Sequence, residues 1–223
     1  MSVLTNTSTT SPTADGMPSS LPSGHYKYLI DDNHPRRKQV EQFIAQRFLE
    51  VHGAIISAFM PVLIALFGEN DEIQAAVGIR GAAIEVLFLE YYLDTSIERS
   101  IACNADQLMV VPERERIVEI GNLASIDRCA SRKLFKILAG LLHAESFEWA
   151  VFTGCTSLHR MFSTLGIETI DLGRALQSRL PVDQQTWGGY YEDSPRVVAG
   201  KVSRGCAAFE NTPDNMPLTR ALA

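Results

Sequence analysis

The sequence predicts a mixed α/β (α+β) domain, built on a mostly antiparallel sheet with one central parallel strand–helix–strand crossover and helices on both faces. Three observations lead to this prediction. Short apolar runs alternate along the chain with segments of helical periodicity. A turn sequence at 68–71 separates two of the apolar runs, as in a hairpin. Residues 116–153 have the pattern of strand, helix and strand, which forms a crossover between parallel strands.

The first predicted elements are a short strand at 26–30 and a helix that begins at Pro35. Proline fits in the first turn of a helix because an N–H there has no intrahelical partner. Charged residues occupy one face of this helix, and apolar residues recur on the other face at Val40, Phe43, Ile44, Phe48 and Val51.

The predicted hairpin has strands at 59–67 and 73–80, joined by Gly68-Glu69-Asn70-Asp71, a sequence typical of turns. Residues 86–93 are apolar and aromatic without a clear period, so their secondary structure stays open. Residues 96–103 have the pattern of a short helix.

The second half of the chain contains the crossover and the end of the domain. After the loop 125–127, apolar residues on one helical face predict a long helix, and a second helix ends at Gly166. The predicted elements are strands at 116–124, 148–153, 167–170 and 196–203, one helix with Ala130, Leu134, Ile137, Leu138 and Leu141 on its apolar face, and one with Leu158, Met161, Phe162 and Leu165.

Composition and charge limit the function classes. Of 223 residues, 46% are hydrophobic and 21% are charged, which is typical of a soluble globular domain. The net charge of −6 argues against nucleic-acid binding, which needs clustered basic charge. Four cysteines form no CxxC pair, so we expect no zinc ribbon, no disulfide framework and a reducing, cytoplasmic location. The fold is expected to span 25–204, between flexible tails at 1–24 and 205–223 that lack a periodic apolar pattern.

One stretch raises the alternative of a membrane segment. Residues 51–68 carry no formal charge and approach the length of a bilayer span. However, Gly53 and Pro61 interrupt the stretch, and it follows an amphipathic helix directly. The sequence therefore favours a helix end, a turn and a buried strand over a membrane helix.

The order of strands and helices resembles the N-acetyltransferase (GNAT) fold, which includes the acyl-homoserine-lactone synthases. Particular residue strings also resemble the bacterial thermostable hemolysin family over about residues 26–204. The family name implies cell lysis, whereas the fold implies acyl transfer from a thioester. The strings are His52-Gly53-Ala54, Phe59-Met60-Pro61, 87–94, 117–124 and 187–191.

The resemblance implies a binding site for a thioester donor, either acyl-CoA or the phosphopantetheine of an acyl-carrier protein. In the GNAT fold, the end of one strand binds the pantetheine arm and the following helix N-terminus binds phosphate. Here the loop 125–132 has no glycine, and Asp127 would repel phosphate unless nearby arginines compensate. Alternatively, Asp127 only caps the helix and the arginines are solvated. The donor-site candidates are Leu123, Ala124, Arg128, Ala130 and Arg132.

The same comparison concerns the acid that protonates the leaving thiolate. Many acetyltransferases have a tyrosine where this chain has Phe162, which has no proton to give and is expected in the core. The acid would then be Tyr190 or Tyr191, and Tyr191 is the catalytic candidate. Trp187, Tyr190 and Thr153 are candidates for the substrate pocket. The tryptophan and tyrosines either pack in the core or, next to Gly188-Gly189, form a mobile lid.

Carboxylates in apolar surroundings are the candidate bases. By alternation alone, Glu119 would be a solvent-side strand residue. Alternatively, its strand is central and covered on both faces, so that Glu119 faces a cavity or a partner and burial raises its pKa toward that of a useful base. Glu90 is a second candidate, with a rim salt bridge as the alternative. Arg80 either pairs with one of these carboxylates or binds a substrate carboxylate. Asn122 either caps the loop or orients a substrate.

Other chemistries receive less support. Cys155 and His159 share a helical face, but a buried cysteine is usually an apolar filler. No further His or carboxylate has ligand spacing, so no metal is expected. The predicted function is transfer of an acyl group to the amine of a small molecule such as an amino acid. The alternatives are a membrane-active cytolysin and a catalytically dead acyl-binding module.

Overall fold

The computed structural model describes residues 26–105, 110–181 and 186–210. The predicted N-terminal tail at 1–24 lies outside the described residues, as does the part of the predicted C-terminal tail from 211 to 223.

A single sheet of seven strands forms the centre of the described fold, with the spatial order β1-β2-β3-β4-β5-β7-β6. Neighbouring strands are antiparallel except for β4 and β5, which are parallel. The predicted mostly antiparallel sheet with one central parallel pair is therefore confirmed. The strands are β1 (Tyr26–Ile30), β2 (Val62–Phe67), β3 (Ile73–Gly81), β4 (Ile117–Ser125), β5 (Trp149–Gly154), β6 (Thr169–Arg174) and β7 (Arg196–Lys201).

Helices cover both faces of this sheet, as predicted. Two of them pack on one face, together with the short 3-10 helix Phe88–Tyr92, and three pack on the other. The first two are α1 (Arg37–His52) and α2 (Ile97–Asn104), and the other three are α3 (Arg128–Ala144), α4 (Thr156–Thr164) and α5 (Val202–Glu210). The segment 86–93, whose secondary structure could not be assigned from the sequence, contains this 3-10 helix.

The end of the domain differs from the prediction. The last strand stops at Lys201 rather than at residue 203, and α5 continues across the expected boundary at 204. Phe209 of this helix is only 4% exposed and packs into the core that contains α3. Helix α5 was not predicted because the segment is short and contains Gly205.

Other boundaries also differ. The strand expected at 59–67 begins at Val62, after Pro61, which has no N–H for the sheet. The strand expected at 167–170 runs from Thr169 to Arg174 instead. Val51, expected on the buried face of α1, is 60% exposed because it lies in the last turn of the helix, beyond the edge of the core.

The charge-free stretch 51–68 has the structure that the sequence favoured. Helix α1 ends at His52, Gly53 adopts a left-handed conformation with φ of 65°, and an extended segment leads to β2. Within the three described ranges, no helix is both long and apolar enough to cross a membrane.

Strands β4 and β5 diverge, and this divergence positions the candidate site. Their parallel pairing ends at Ile120 and Phe152, although β4 continues to Ser125 and β5 to Gly154. The register of β4 against β3 shifts in the same region, between the pairs Ala76–Ala124 and Gly78–Gly121. The extra residue on β4 is a bulge, and Asn122 within it has a positive φ of 50°.

Candidate functional site

A cleft of about 870 Å³ lies where β4 and β5 diverge. Its lining includes Glu119 and Arg80, which point to the face covered by α1, and Ile120 and Phe135, which belong to the face covered by α3. The cleft therefore passes between the two strands and connects the two faces of the sheet. Such a passage can hold one substrate on each side of a central point.

We divide the lining into two ends. The inner end lies on the α1 face beside the middle of β4, and the outer end lies where β4 leads into α3. The inner end comprises Arg80, Phe88, Tyr92, Glu119, Trp187 and Tyr190, and the outer end comprises Arg47, Asp127, Arg128, Ser131, Arg132 and Arg160.

Glu119 is the buried acid of the inner end, with only 3% of its surface exposed. Its two carboxylate oxygens accept hydrogen bonds from the backbone N–H groups of Phe88 and Leu89, each at 2.9 Å. Burial raises the pKa of Glu119 to about 7, although these two N–H groups and Arg80 act in the opposite direction. Each oxygen keeps a further lone pair, so the carboxylate can still accept a proton near neutral pH.

Arg80 lies beside Glu119 but pairs elsewhere. The two residues are directly opposed on the antiparallel strands β3 and β4. The ion pair of Arg80 is with Glu85, whose Oε1 is 3.0 Å from Nε, and not with Glu90 or Glu119 as the sequence suggested. Glu85 precedes the 3-10 helix and lies close to the end of β3, so the local turn brings it to Arg80.

Glu90 does not line the cleft. Its carboxylate pairs with Arg114 at 2.6 Å and accepts hydrogen bonds from the backbone N–H groups of Leu87 and Ile97. These partners hold the pKa of Glu90 below its ordinary value despite its burial. The structure therefore gives Glu90 the salt-bridge role that the sequence left as the alternative to a catalytic one.

Aromatic side chains surround Glu119. The rings of Phe88 and Trp187 have centroids 5.9 Å apart, and those of Trp187 and Tyr190 are 5.4 Å apart. The Tyr190 hydroxyl donates to the backbone carbonyl of Thr153, which also lines the cleft, at 3.4 Å. Burial raises the pKa of Tyr190 well above its ordinary value, so its hydroxyl keeps the proton at neutral pH.

Tyr191 lies behind this aromatic layer. It is absent from the lining of the cleft, and its hydroxyl is 2.6 Å from the hydroxyl of Tyr92. Burial raises the pKa of both hydroxyl groups. Of the two tyrosines that the sequence proposed as acids, Tyr190 is the one in contact with the cleft. Tyr92, which the sequence analysis did not single out, also lines it.

The turn that contains Trp187 is hydrogen-bonded to the end of α1 and to the segment that follows it. Gly189 N–H donates to the His52 carbonyl at 2.7 Å, and Ile55 N–H donates to the Thr186 carbonyl at 2.7 Å. A Cβ on Gly188 would lie 2.0 Å from the His52 carbonyl oxygen, so this close approach requires glycine. The glycine pair therefore permits tight packing here, and the suggestion of a mobile lid is not supported by these contacts.

Asn122 joins the bulge of β4 to the extended segment after α1. Its Oδ1 accepts from Met60 N–H at 2.8 Å, and its Nδ2 donates to the Ala58 carbonyl at 3.4 Å. Met60 in turn lies over the bulge, where a Cβ on Gly121 would be 2.5 Å from the methionine side chain. Asn122 therefore fixes one wall of the cleft. Its side chain binds backbone groups of a neighbouring segment, which is closer to the predicted loop cap than to a substrate contact.

The outer end is basic and partly exposed. Leu123 and Ala124 line the approach along β4, and Arg128 and Arg132 lie in the first turns of α3. Arg47 and Arg160, which were not proposed from the sequence, also line the outer end. Arg47 is held in place because its Nε donates to the Ser125 carbonyl at 3.0 Å.

The start of α3 is already capped by the chain itself. The Asp127 carboxylate accepts a hydrogen bond from the Ala130 N–H at 2.8 Å. Ala130 is buried and does not line the cleft, so its assignment to the donor site is corrected: the N–H group that would bind a phosphate is occupied. Phe162 is buried between Phe135 and Phe152, as predicted.

His52 is a further residue that the sequence analysis did not propose for the site. Its imidazole lines the cleft and packs edge-on against Tyr190, with ring centroids 5.3 Å apart. Burial lowers the pKa of His52, and Asp193 opposes this shift. Its place at the end of an amphipathic helix, beside Gly53, gives no sequence signal for a cleft, because the contact with Tyr190 spans most of the chain.

Cys155 and His159, considered from the sequence as a thiol–imidazole pair, both lie near the cleft. Cys155 lines it, and the His159 ring nitrogen Nε2 is 3.0 Å from the Gly154 carbonyl oxygen. Among the described residues, no group of three or more His, Cys, Asp or Glu side chains is arranged to hold a metal ion.

Comparisons with known proteins agree with this architecture. The model of the family described as Thermostable hemolysin matches residues 30–206. No curated protein matches the sequence of this chain. The structure is similar to that of BjaI, a CoA-dependent acyl-homoserine lactone synthase solved with SAM and isopentyl-CoA, at a TM-score of 0.58 and 12% identity over 87% of this chain and 91% of that one.

Two other solved structures show the same fold. FeeM, an N-acyl amino acid synthase from uncultured soil microbes, has a TM-score of 0.55 and 12% identity over 81% of this chain and 92% of its own. The acyl-homoserine-lactone synthase LasI has a TM-score of 0.54 and 10% identity over 80% and 90%. At such identities the likeness concerns the fold. The chain belongs to the thermostable hemolysin family, and its fold is the GNAT-like fold of these acyltransferases.

Proposed function

We propose that this protein is an N-acyltransferase that moves an acyl group from a thioester donor to the amine of a small molecule such as an amino acid. The observation that carries the proposal is the position of Glu119: a buried carboxylate with a pKa of about 7 at the inner end of a cleft that passes between two diverging strands. A base of this pKa is suited to accept a proton from an amine at neutral pH.

The donor would enter from the outer end. Beyond Ile120, β4 has no pairing with β5, so the edge of β4 is open to an extended arm. From Glu119 to Ser125 the strand spans roughly 20 Å at about 3.3 Å per residue, which suits a long phosphopantetheine arm. The basic side chains of Arg128 and Arg132 would lie near its phosphate. Both acyl-CoA and an acyl-carrier protein carry this arm, and both occur in the cytoplasm.

The acceptor amine would bind at the inner end. Its nitrogen attacks the thioester carbonyl carbon, the C–S bond breaks, and an amide and a thiolate form. Glu119 takes the proton that the nitrogen loses. The thiolate takes a proton from a neutral acid, for which Tyr190 is the better placed tyrosine because its hydroxyl is in the cleft wall near Thr153.

Mass spectrometry of the reaction products tests this proposal. The purified protein is incubated with acyl-CoA or acyl-carrier-protein donors and with a panel of amines, and free thiol is measured in parallel. We expect N-acyl products with one thiol released per amide. Thiol release without any amide, or no reaction with any donor, would contradict the proposal. Leakage of dye from lipid vesicles, measured alongside, would instead support the cytolysin suggested by the family name.

A further inference from the structure

Two buried hydrogen-bond donors at the inner end lack an acceptor. Among the residues that the structure describes, Arg80 Nε and Trp187 Nε1 are buried and have no hydrogen-bond partner. Both side chains line the cleft. Both N–H groups act only as donors, so each of them can be satisfied only by an acceptor atom of another group. Few buried donors in native proteins remain unpaired, and a bound ligand is one physical explanation for those that do.

The charge of Arg80 indicates what kind of acceptor fits. Its Nε is 3.0 Å from the Glu85 carboxylate, yet the geometry of this ion pair gives Nε no hydrogen bond. Glu85 is itself half exposed, with 51% of its side-chain surface accessible, so solvent screens the pair. The guanidinium fork matches a carboxylate better than any neutral group. An anionic group of the substrate would therefore satisfy both the charge and the free donor.

The distance between Arg80 and Glu119 limits the size of that substrate. The two residues are directly opposed across β3 and β4, so their side chains share one face and their Cβ atoms are about 4.5–5.5 Å apart. A cationic group and a carboxylate thus lie side by side. Trp187 is next to them, since its ring packs against Phe88, whose N–H binds Glu119. A molecule with an amine and a carboxylate on one carbon can reach all three residues.

We propose that the acceptor is an α-amino acid, or a molecule with the same amine–carboxylate pair, whose carboxylate is bound by Arg80 and the Trp187 indole N–H while its amine faces Glu119. This inference rests on the proposed function and makes its acceptor specific. An amine without the carboxylate leaves both donors unpaired, and a neutral ester removes the charge that Arg80 recognises.

Matched pairs of acceptors test the inference. Each of several amino acids is compared with the amine that remains after its carboxylate is removed, using one thioester donor and measuring kcat/KM for amide formation. We expect the amino acid to react at least roughly 10²-fold better than its decarboxylated partner, because a site built to pair a polar substrate group can reject an analogue without that group by roughly 10⁴-fold or more. Equal values for the two members of each pair would overturn the inference and leave the proposed function standing.

Two variants then identify the residues responsible. Trp187→Phe keeps an aromatic ring and removes the N–H, and Arg80→Gln removes the charge. Both should lower kcat/KM for the amino acid by roughly tenfold or more relative to kcat/KM for the decarboxylated amine, which reduces the selectivity between the two acceptors. Arg116→Gln, which removes an exposed arginine outside the cleft, is the control and should keep the wild-type selectivity. Unchanged selectivity in both test variants would overturn the assignment.

A binding measurement separates this inference from the proposed function. The melting temperature of the protein is measured with each amino acid and with its decarboxylated amine, without a donor. An increase in melting temperature with the amino acid but not with its decarboxylated amine, which is lost in Trp187→Phe, supports the carboxylate site. If this increase is seen without any acyl transfer, only the proposed function fails. Equal stabilisation by both compounds, or by neither, contradicts the carboxylate site.

Discussion

The inner and outer ends of the cleft hold their charged side chains in different ways. At the inner end, Glu119 is buried, bound by two backbone N–H groups and shifted in pKa to about 7. At the outer end, Arg128 is exposed and Arg132 is half-buried in the first turns of α3. A buried group changes its chemistry through its surroundings, whereas an exposed group acts mainly through its charge. The inner end is therefore suited to proton transfer and the outer end to attraction of an anion.

Replacing the inner carboxylate should give the largest effect. Glu119→Gln keeps the size of the side chain but removes the base, so kcat/KM for amide formation should fall by roughly 10²-fold or more. The amide oxygen can serve only one of the Phe88 and Leu89 N–H groups, so we also expect a loss of about 1–3 kcal/mol in stability. Steady-state kinetics and urea unfolding measure the two effects.

The control for this variant is Glu115→Gln, which changes an exposed glutamate outside the cleft and should leave both quantities unchanged. Donor binding should also be unaffected in Glu119→Gln, because the donor phosphate would lie at the other end. A variant that is fully active but less stable would show that Glu119 is only a structural cap of the 3-10 helix.

Substitution of Asn122, which lies in the β4 bulge between the two ends of the cleft, should change the stability of the protein. Asn122→Ala removes the acceptor of the Met60 N–H, which costs about 1–3 kcal/mol, and forces alanine into a conformation with φ of 50°. Asn122→Gly also removes the acceptor but tolerates this φ, so it should be more stable than Asn122→Ala by about 1 kcal/mol. Urea unfolding of both variants measures this difference. Equal stabilities would mean that the backbone at the bulge relaxes and that its conformation is not imposed by the fold.

Charge reversal at the outer end should give a smaller effect, confined to the donor. We expect Arg128→Glu combined with Arg132→Glu to raise the KM for the donor by roughly tenfold, since two surface charges worth about 0.7 kcal/mol each give about 1.4 kcal/mol. Stability should change by less than about 0.5 kcal/mol because these substitutions lie at the surface. Kinetics at varied donor and varied salt measure the effect. An unchanged KM for the donor would show that neither arginine contributes to donor binding.

Much of the fold follows from local patterns in the sequence. The hairpin of β2 and β3 was predicted because a turn sequence separates two apolar runs, and the crossover was predicted because α3 has a clear apolar face. Helix α5 was not predicted, because its nine residues have too short a pattern and its stability comes from Phe209 packing against α3.

The candidate site was predictable only where one residue type conflicts with its surroundings. Glu119 could be found because a carboxylate within an apolar central strand needs an explanation. Its partners at Phe88 and Leu89 could not, since they are backbone groups about thirty residues away. His52 and Arg47 were missed for a similar reason: both lie on a helix whose contacts with the cleft are made in three dimensions and leave no periodic signal.

The pH dependence of the proposed acyl transfer tests the role of Glu119 most directly. A base must be deprotonated to act, and the pKa of Glu119 is raised to about 7 by burial, so kcat/KM should rise as the pH increases through about 7. The same shift predicts that the stability contributed by Glu119 decreases as the pH rises from about 4.3, the pKa in the unfolded chain, to about 7, the pKa in the folded protein. The reason is that the folded state binds the proton more tightly than the unfolded chain. The account predicts an inflection near pH 7 in the wild type that is absent in Glu119→Gln, and an identical profile for both proteins would contradict it.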